Sequence, residues 1–179
     1  IDIVFLTHLH LDHVGTNMTK ENGVWKQTFP NATYMVAKSD WEMFNRMADK
    51  PAFQYIKEQV QPLLSSGSLH LIEGEITVTK GVTTIPTPGH TPGHTSLLIE
   101  SEGEIAVIIG DAAHVPPQVE QTSWSPSPDR DKTLSAKTRS SLMDFIEKEN
   151  ALIASGHFPK PGFGKIIKTD SGRSYKPLT

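Results

Sequence analysis

The chain has 179 residues, of which 36% are hydrophobic and 21% charged, and these values are ordinary for a globular domain. Its net charge of −3 gives no electrostatic footprint for nucleic acid, and no apolar run approaches the ~20 residues that a membrane helix requires. The sequence contains no cysteine, which excludes disulfides, thiolate metal ligands and a cysteine nucleophile. Its eight histidines are the unusual feature of the composition.

The first part of the chain alternates predicted strands and helices. Strands are expected at 1–7 and 32–37, and helices at 41–49 and 52–64. Ser39 and Asp40 are typical helix N-cap residues, which predicts that the first helix begins just after them. The second helix is expected to be interrupted or to end near Pro62, because proline lacks the amide donor that a helix interior needs.

From residue 69 the pattern changes to short strand-like segments separated by turn residues. Strands are predicted at 69–72, 76–79, 82–85, 95–100, 104–109, 151–155 and 165–169. A proline-rich loop at 116–132 precedes a helix at 134–150, in which apolar residues recur at three- and four-residue steps. We therefore expect a single α/β domain over residues 1–179, richer in strands in its second half.

The strongest chemical signal is the segment His8-Leu9-His10-Leu11-Asp12-His13, directly after the first apolar strand. Side chains alternate faces in an extended segment, so His8, His10 and Asp12 are predicted to point the same way. A turn at Asp12 then brings His13 beside them. Imidazole and carboxylate groups suit a divalent transition metal such as zinc. A solvated polar loop is the alternative, but four ligand-type residues among six disfavour it.

Three later positions have the same character. His90 lies in a loop rich in proline and glycine, and Asp111 and His157 each follow an apolar strand and a glycine. Each one alone is more typical of a hydrogen-bonded turn, but loops at one rim of a sheet are where sites are built. Together with the first segment they exceed the about four ligands that one zinc ion needs. The set indicates two metal ions sharing a carboxylate, with a bridging hydroxide that hydrolyses an ester-like bond.

These motifs resemble the signature of the metallo-β-lactamase superfamily, which includes a His-x-His-x-Asp-His segment and a Pro-Gly-His-Thr-Pro-Gly-His loop, here at 88–94. A Gly-Asp pair after a strand and a late Gly-His pair complete the signature. The resemblance implies an αββα sandwich with the site at one edge of its two sheets. By the same resemblance, His8, His10 and His90 hold the first metal, Asp12, His13 and His157 hold the second, and Asp111 bridges them.

The end of the chain resembles the group of this superfamily that contains methyl parathion hydrolase and related lactonases. There the last histidine is followed by a Pro-Gly-x-Gly turn, here at 161–164, and by a final hairpin. The stretch 124–139, with Asp129, Asp131 and Arg139 leading into a helix, is also similar to that group. His114 stands where acyl-homoserine lactonases have a tyrosine that assists catalysis, which makes His114 a candidate substrate-facing group or proton donor.

The resemblance therefore implies a dinuclear metal-dependent hydrolase that cleaves a lactone or another ester, with phosphotriesters as further substrates. The catalytic candidates are Asp12, Asp111 and His114. Two zinc ions are the expected cofactors, although manganese, iron or cobalt also suits these ligands. The expected partner is a small-molecule substrate, without nucleic acid or membrane. Two alternatives stay open: an inactive or truncated metal-binding or interaction protein of the same fold, and a thioesterase similar to glyoxalase II.

The superfamily has a further stretch before the first motif, whereas this chain begins inside a strand without an initiator methionine. The expectation is therefore an N-terminally truncated sandwich that lacks part of its N-terminal sheet. A half-covered sheet exposes an apolar face and unpaired edges, which favours a homodimer.

The sequence predicts the environments of several further residues less specifically. His94 is expected to make supporting hydrogen bonds rather than to bind metal, and His70 is expected to face solvent between two leucines. Trp41 is expected in the core, whereas Trp124 and Phe158 are candidates for lining an apolar substrate pocket.

Overall fold

The computed structural model describes residues 1–170 and 172–178. The chain divides into two compact units, Ile1–Glu73 and a second unit that begins at Gly74. Both units combine helices and strands, so the predicted α/β class is confirmed. The single-domain organisation over residues 1–179 stays a prediction. Among the described residues, no helix is both long enough and apolar enough to cross a membrane.

The first unit is built around a small parallel sheet. The strands of this unit are β1 (Ile3–Phe5), β2 (Met18–Glu21), β3 (Val24–Gln27), β4 (Thr33–Ala37) and β5 (Leu69–Ile72). Its helices are α1 (Leu11–Val14), α2 (Lys38–Met47), α3 (Tyr55–Gln59) and α4 (Gln61–Ser65). The sheet order is β1-β4-β5, with all three strands parallel. Helices α2 to α4 form the crossover from β4 to β5, as parallel pairing requires. The buried core includes Tyr34, Val36, Phe44, Ile56 and Leu63.

Helix α2 begins earlier than the sequence predicted. Its N-cap is Ala37, not Ser39 or Asp40, so the predicted cap is wrong. Asp40 is instead fully buried, and its carboxylate accepts a hydrogen bond from the backbone N–H of Leu9 at 3.3 Å. The predicted interruption near Pro62 is confirmed, because α3 ends at Gln59 and α4 begins two residues later.

A hairpin that the sequence analysis missed lies in the first unit. Strands β2 and β3 pair antiparallel around Asn22 and Gly23, which both have positive φ angles of 50° and 82°. An Asn-Gly pair at this position is a strong hairpin signal. The flanking residues are too polar for the alternating pattern used to find the other strands.

The second unit contains one seven-stranded sheet. Its strands are β6 (Thr77–Thr79), β7 (Val82–Pro86), β8 (Thr95–Ser101), β9 (Glu104–Ile108), β10 (Leu152–Ala154), β11 (Phe163–Thr169) and β12 (Gly172–Pro177), and its helices are α5 (Pro117–Glu120) and α6 (Lys132–Lys148). The order is β12-β11-β10-β9-β8-β7-β6, and β9 and β10 form its parallel pair. The predicted strands at 95–100 and 104–109 correspond to β8 and β9, which pair antiparallel as a hairpin.

Helix α6 is the crossover between the parallel strands β9 and β10. The Asp131 side chain caps α6 by accepting a hydrogen bond from the N–H of Leu134 at 2.9 Å, so the helix starts two residues before the predicted position. Its buried face packs Leu142, Met143 and Ile146 into a core with Val107 and Ile153 of the sheet. The segment predicted as a loop before α6 also contains the short helix α5.

Candidate metal centre

The topology of the seven-stranded sheet brings four predicted site residues to one edge. Asp111 and His157 follow β9 and β10, whose carboxyl ends lie together because these strands are parallel neighbours. The loop that carries His90 joins β7 to β8, and it lies at the same edge because β8 runs antiparallel to β9. His114 is three residues beyond Asp111. The sheet therefore gathers side chains that are far apart in sequence.

Asp111 is at the centre of this group. Its Oδ2 lies 3.4 Å from His90 Nε2 and 3.1 Å from His114 Nε2, and its Oδ1 lies 3.3 Å from His157 Nε2. The His114 ring stacks on the His157 ring with centroids 5.3 Å apart. His90 and Asp111 are buried, whereas the side chains of His114 and His157 are 20% and 36% exposed. The group is thus closed on one side and accessible to a small molecule on the other.

His94 supports this group from behind, as predicted. The backbone N–H of Asp111 donates a hydrogen bond to His94 Nε2 at 2.9 Å, which requires that nitrogen to carry a lone pair. The proton of the neutral ring is therefore on Nδ1, which lies 2.8 Å from Thr87 Oγ1 and 3.1 Å from the Thr87 carbonyl oxygen. His94 is buried, and its two ring nitrogens contact Asp111 and Thr87.

The loop of His90 is tied to the start of α6. The backbone N–H groups of Arg130 and Asp131 donate hydrogen bonds to the carbonyl oxygens of His90 and Gly89 at 3.1 and 3.0 Å. Gly89 has a φ of +133°, and a Cβ atom at this position would lie 2.4 Å from the Cα of Ser135. Only glycine permits this approach, so the loop rich in proline and glycine packs directly on the helix.

A buried ion pair lies behind His90. His90 Nδ1 is 2.9 Å from Asp129 Oδ1, while Asp129 Oδ2 accepts hydrogen bonds from Ser135 Oγ at 2.8 Å and Arg139 Nη2 at 3.1 Å. Burial by itself would raise the pKa of Asp129. The hydrogen bonds from His90 and Ser135, together with the charge of Arg139, nevertheless hold that pKa below its usual range. Asp129 is therefore a carboxylate near neutral pH.

From the sequence alone, Asp129 and Arg139 are features of a family resemblance without an assigned role. Arg139 lies within a helix, where a charged residue is normally exposed, and it is fully buried here. No local pattern shows that a residue in α6 reaches a loop ten positions earlier. The cluster of Pro, Ser and Asp residues around Asp129 predicts a loop, but it does not predict that Asp129 is buried.

The first unit holds a second group of site residues just after β1. His8 Nε2 lies 3.0 Å from His10 Nδ1, and the rings of His8 and His13 have centroids 4.0 Å apart. Asp12 Oδ2 lies 3.5 Å from His13 Nε2. The extended segment ends at His10 because α1 begins at Leu11. Asp12 therefore lies on a helical turn, and its predicted alternation with His8 and His10 is wrong.

Two side chains from the helices fix the backbone between His8 and His10. Asp40 accepts the Leu9 N–H, and the Tyr55 hydroxyl donates to the Leu9 carbonyl oxygen at 3.0 Å. The Leu9 side chain is completely buried. These contacts fix the position of the backbone that carries the two imidazoles.

The donor set of each group fits a divalent metal. In the second unit, two imidazole nitrogens lie within 3.4 Å of carboxylate oxygens of one buried aspartate. In the first unit, the two imidazole nitrogens of His8 and His10 face each other at 3.0 Å. Neutral imidazole and carboxylate are the ligand types that zinc and related ions bind. In metal sites of this kind, the ring nitrogen that does not bind the metal is usually hydrogen-bonded to an oxygen, as His90 Nδ1 is to Asp129.

The remaining sequence predictions have mixed outcomes. His70 is exposed and Trp41 is buried, as predicted. Phe158 is 5% exposed and packs edge-to-face on Tyr175 in the second unit. It also lines a pocket beside Gly156 and Gly162, and its role toward a substrate stays a prediction. Trp124 is 56% exposed on the segment before α6.

Comparison with known proteins identifies the family of the chain. A profile of the metallo-β-lactamase superfamily matches residues 1–157. An N-acyl homoserine lactonase from Bacillus sp is 32% identical over 159 residues, which are 87% of this chain and 56% of that protein. The chain thus spans little more than half the length of this curated relative.

Two solved structures are similar as well. The hydrolase AbOPH of the β-lactamase superfamily is 28% identical and matches with a TM-score of 0.84, over 100% of this chain and 65% of that one. An N-acyl homoserine lactone hydrolase, with the product N-hexanoyl-L-homoserine bound at its catalytic metal centre, is 30% identical with a TM-score of 0.66. That match covers 86% of this chain and 54% of the other.

The mixed α/β fold and the histidine and aspartate side chains gathered at strand ends agree with this family match. The chain belongs to the metallo-β-lactamase superfamily. The resemblance inferred from its motifs is therefore confirmed, and so is the fold class.

Proposed function

We propose that this chain is a hydrolase that uses two divalent metal ions, preferentially zinc, to open lactones. The observation that carries the proposal is the convergence of His90, His114 and His157 on one buried carboxylate, that of Asp111. The similarity to proteins named N-acyl homoserine lactonase and N-acyl homoserine lactone hydrolase supports a lactone as the substrate. Other esters and phosphotriesters are candidates of lower rank.

The proposed ligands come from both groups of residues. His8, His10 and His90 would hold one metal, Asp12, His13 and His157 would hold the other, and Asp111 would bridge the two. Zinc is the first candidate among the ions that these imidazole and carboxylate donors suit, and manganese, iron and cobalt are the others. When bound, such a metal pair supplies an activated water near neutral pH and positive charge for the developing oxyanion.

The side chains of the second unit have distinct proposed roles. Asp111 is fixed by His94 through its backbone, so its two carboxylate oxygens stay directed at His90 and His157. His114 is partly exposed beside this carboxylate, which suits a group that donates a hydrogen bond or a proton to the leaving oxygen. Its backbone N–H donates to Gln118 Oε1 at 2.7 Å, which fixes the turn that carries it.

Asp12 is the second candidate for handling the proton. Its side chain is 58% exposed and lies beside His13, which supports a role in exchanging a proton with solvent. The proposed homodimer has no support from the described residues and stays a prediction.

The experiment is hydrolysis of N-hexanoyl homoserine lactone by the zinc-loaded chain, followed by acid release at constant pH. We expect turnover that is lost in Asp111→Ala and retained in His70→Ala, since His70 is an exposed residue of β5. Aryl esters, thioesters and phosphotriesters serve as comparison substrates. Turnover of a thioester alone would replace the lactonase by a thioesterase. A folded, zinc-loaded chain without turnover of any of these substrates would contradict the proposed function.

A further inference from the structure

The His90 ring is held between two aspartates of the second unit. Its Nδ1 lies 2.9 Å from Asp129 Oδ1, and its Nε2 lies 3.4 Å from Asp111 Oδ2. His90 is 1% exposed, so its ring contacts protein groups rather than bulk water. The choice of which nitrogen carries the proton decides which aspartate receives a hydrogen bond and which faces a lone pair.

The other contacts of Asp129 leave its Oδ1 as the oxygen that accepts a hydrogen bond from His90. Its Oδ2 already accepts hydrogen bonds from Ser135 Oγ and Arg139 Nη2, so Oδ1 is the oxygen that faces the imidazole. A carboxylate has no proton to donate, and His90 must therefore donate from Nδ1. The lone pair of the neutral ring is then at Nε2, on the side of Asp111.

Arg139 connects the Asp129–His90 contact to the backbone beside Asp111. Its Nε donates to the Ala112 carbonyl oxygen at 2.6 Å, directly after Asp111, and its Nη1 donates to the carbonyl oxygens of Thr122 and Trp124 at 2.7 and 2.6 Å. Nη2 donates to Asp129 and to Ser135 Oγ, the latter at 2.9 Å. One buried guanidinium thus fixes both the carboxylate behind His90 and the backbone beside Asp111.

We propose that Asp129, held by Arg139 and Ser135, is a positioning residue that keeps the proton of His90 on Nδ1 and directs its Nε2 lone pair toward the metal site. The proposal deepens the proposed function and rests on it for the identity of the ligand. The placement of the proton is a property of the chain alone and can be measured without turnover.

The first test is ¹⁵N NMR of the histidine ring nitrogens in the wild-type chain at pH 8, before and after addition of zinc. We expect His90 Nδ1 to be protonated in both states. A His90 ring that carries its proton on Nε2 alone would overturn the proposal. This measurement requires no variant, so it decides the question even where a substitution prevents folding.

The second test is Asp129→Asn, with Asp131→Asn as the matched control. An Asn side chain offers a single oxygen and cannot accept from both His90 and Arg139. An amide nitrogen turned toward His90 donates to Nδ1 and forces the ring proton onto Nε2. Asp131 lies two residues away and caps α6 from outside this network, a role that asparagine also fills.

We expect Asp129→Asn to shift the His90 proton toward Nε2 and to weaken zinc binding by about 10–100-fold, the usual effect of losing such an outer partner. Asp131→Asn should change neither quantity. A folded Asp129→Asn chain with the wild-type ring signals and the wild-type zinc affinity would overturn the proposal. Absence of lactone hydrolysis in the wild-type chain would remove the proposed function but leave the proton placement standing.

Discussion

The backbone N–H of Asp111 donates a hydrogen bond to Nε2 of His94 at 2.9 Å. This contact explains why a histidine next to the metal-site motif is not itself a proposed ligand. The nitrogen that could bind a metal is already used to hold the backbone of the central aspartate. The protein therefore uses two neighbouring histidines of one loop differently, His90 at the site and His94 behind it.

Replacing His94 by alanine is expected to disturb Asp111 without removing any ligand. The Asp111 N–H would be left buried without this acceptor, which costs about 1–3 kcal/mol of unfolding free energy. Zinc affinity is expected to fall by about 10–100-fold because the carboxylate loses its orientation. Urea denaturation and zinc titration measure the two effects, with His70→Ala as the control. Wild-type zinc affinity in a folded His94→Ala chain would contradict the role given to this contact.

Two tyrosines allow a matched test of the backbone clamp at Leu9. The Tyr55 hydroxyl donates to the Leu9 carbonyl oxygen between His8 and His10, and Tyr55→Phe is expected to lower the unfolding free energy by about 0.5–1.5 kcal/mol. Within the described residues, the buried Tyr175 hydroxyl oxygen has no hydrogen-bond partner. Tyr175→Phe should therefore be neutral or stabilising. Equal destabilisation by both substitutions, measured by urea denaturation, would show that the Leu9 contact contributes nothing specific.

Because Gly89 lies very close to α6, adding a single methyl group at this position is expected to lower the stability of the fold strongly. A Cβ at Gly89 would meet the Ser135 backbone, so Gly89→Ala is expected to cost about 3 kcal/mol or more through backbone strain and overpacking. Gly103 also has a positive φ, but nothing lies within 4 Å of its Cβ position. Gly103→Ala should cost only the about 1–2 kcal/mol of the left-handed conformation. Similar thermal stabilities of the two variants would rule out the packing argument.

His114 is expected to affect turnover rather than metal content. It lies beside Asp111 but is partly exposed, so His114→Ala should lower kcat for lactone hydrolysis by about 10²-fold or more, as for loss of a proton donor. The zinc content should stay at the wild-type value. His70→Ala, the exposed control, should leave kcat unchanged. If His114→Ala loses zinc in parallel with activity, the residue belongs to the ligand set instead.

The sequence predicted those parts of the site that depend on local pattern and strand order. Asp111 and His157 follow apolar strands, and their approach results from the parallel pairing of β9 and β10. The Asn22-Gly23 turn is also a local hairpin signal, but the strands beside it are too polar to show an alternating pattern.

Other features could not be predicted because they depend on contacts between distant segments. The hydrogen bonds of Arg139 to Ala112 and Asp129 require the packing of α6 against two loops. Arginine is usually exposed to solvent, whereas Arg139 is buried. Its burial is tolerated because its nitrogens donate hydrogen bonds to a carboxylate and to backbone oxygens. Asp40, a predicted cap residue, likewise lies inside α2 and accepts the N–H of Leu9, a contact between distant segments.

The most direct test of the central claim is the metal content of the purified chain, measured by elemental mass spectrometry after zinc loading and extensive dialysis. The proposed ligand set predicts about two zinc ions per chain, because it exceeds what one ion requires. Asp111→Ala should retain clearly less, since the proposed bridge is lost. A folded wild-type chain that retains no zinc would contradict the account.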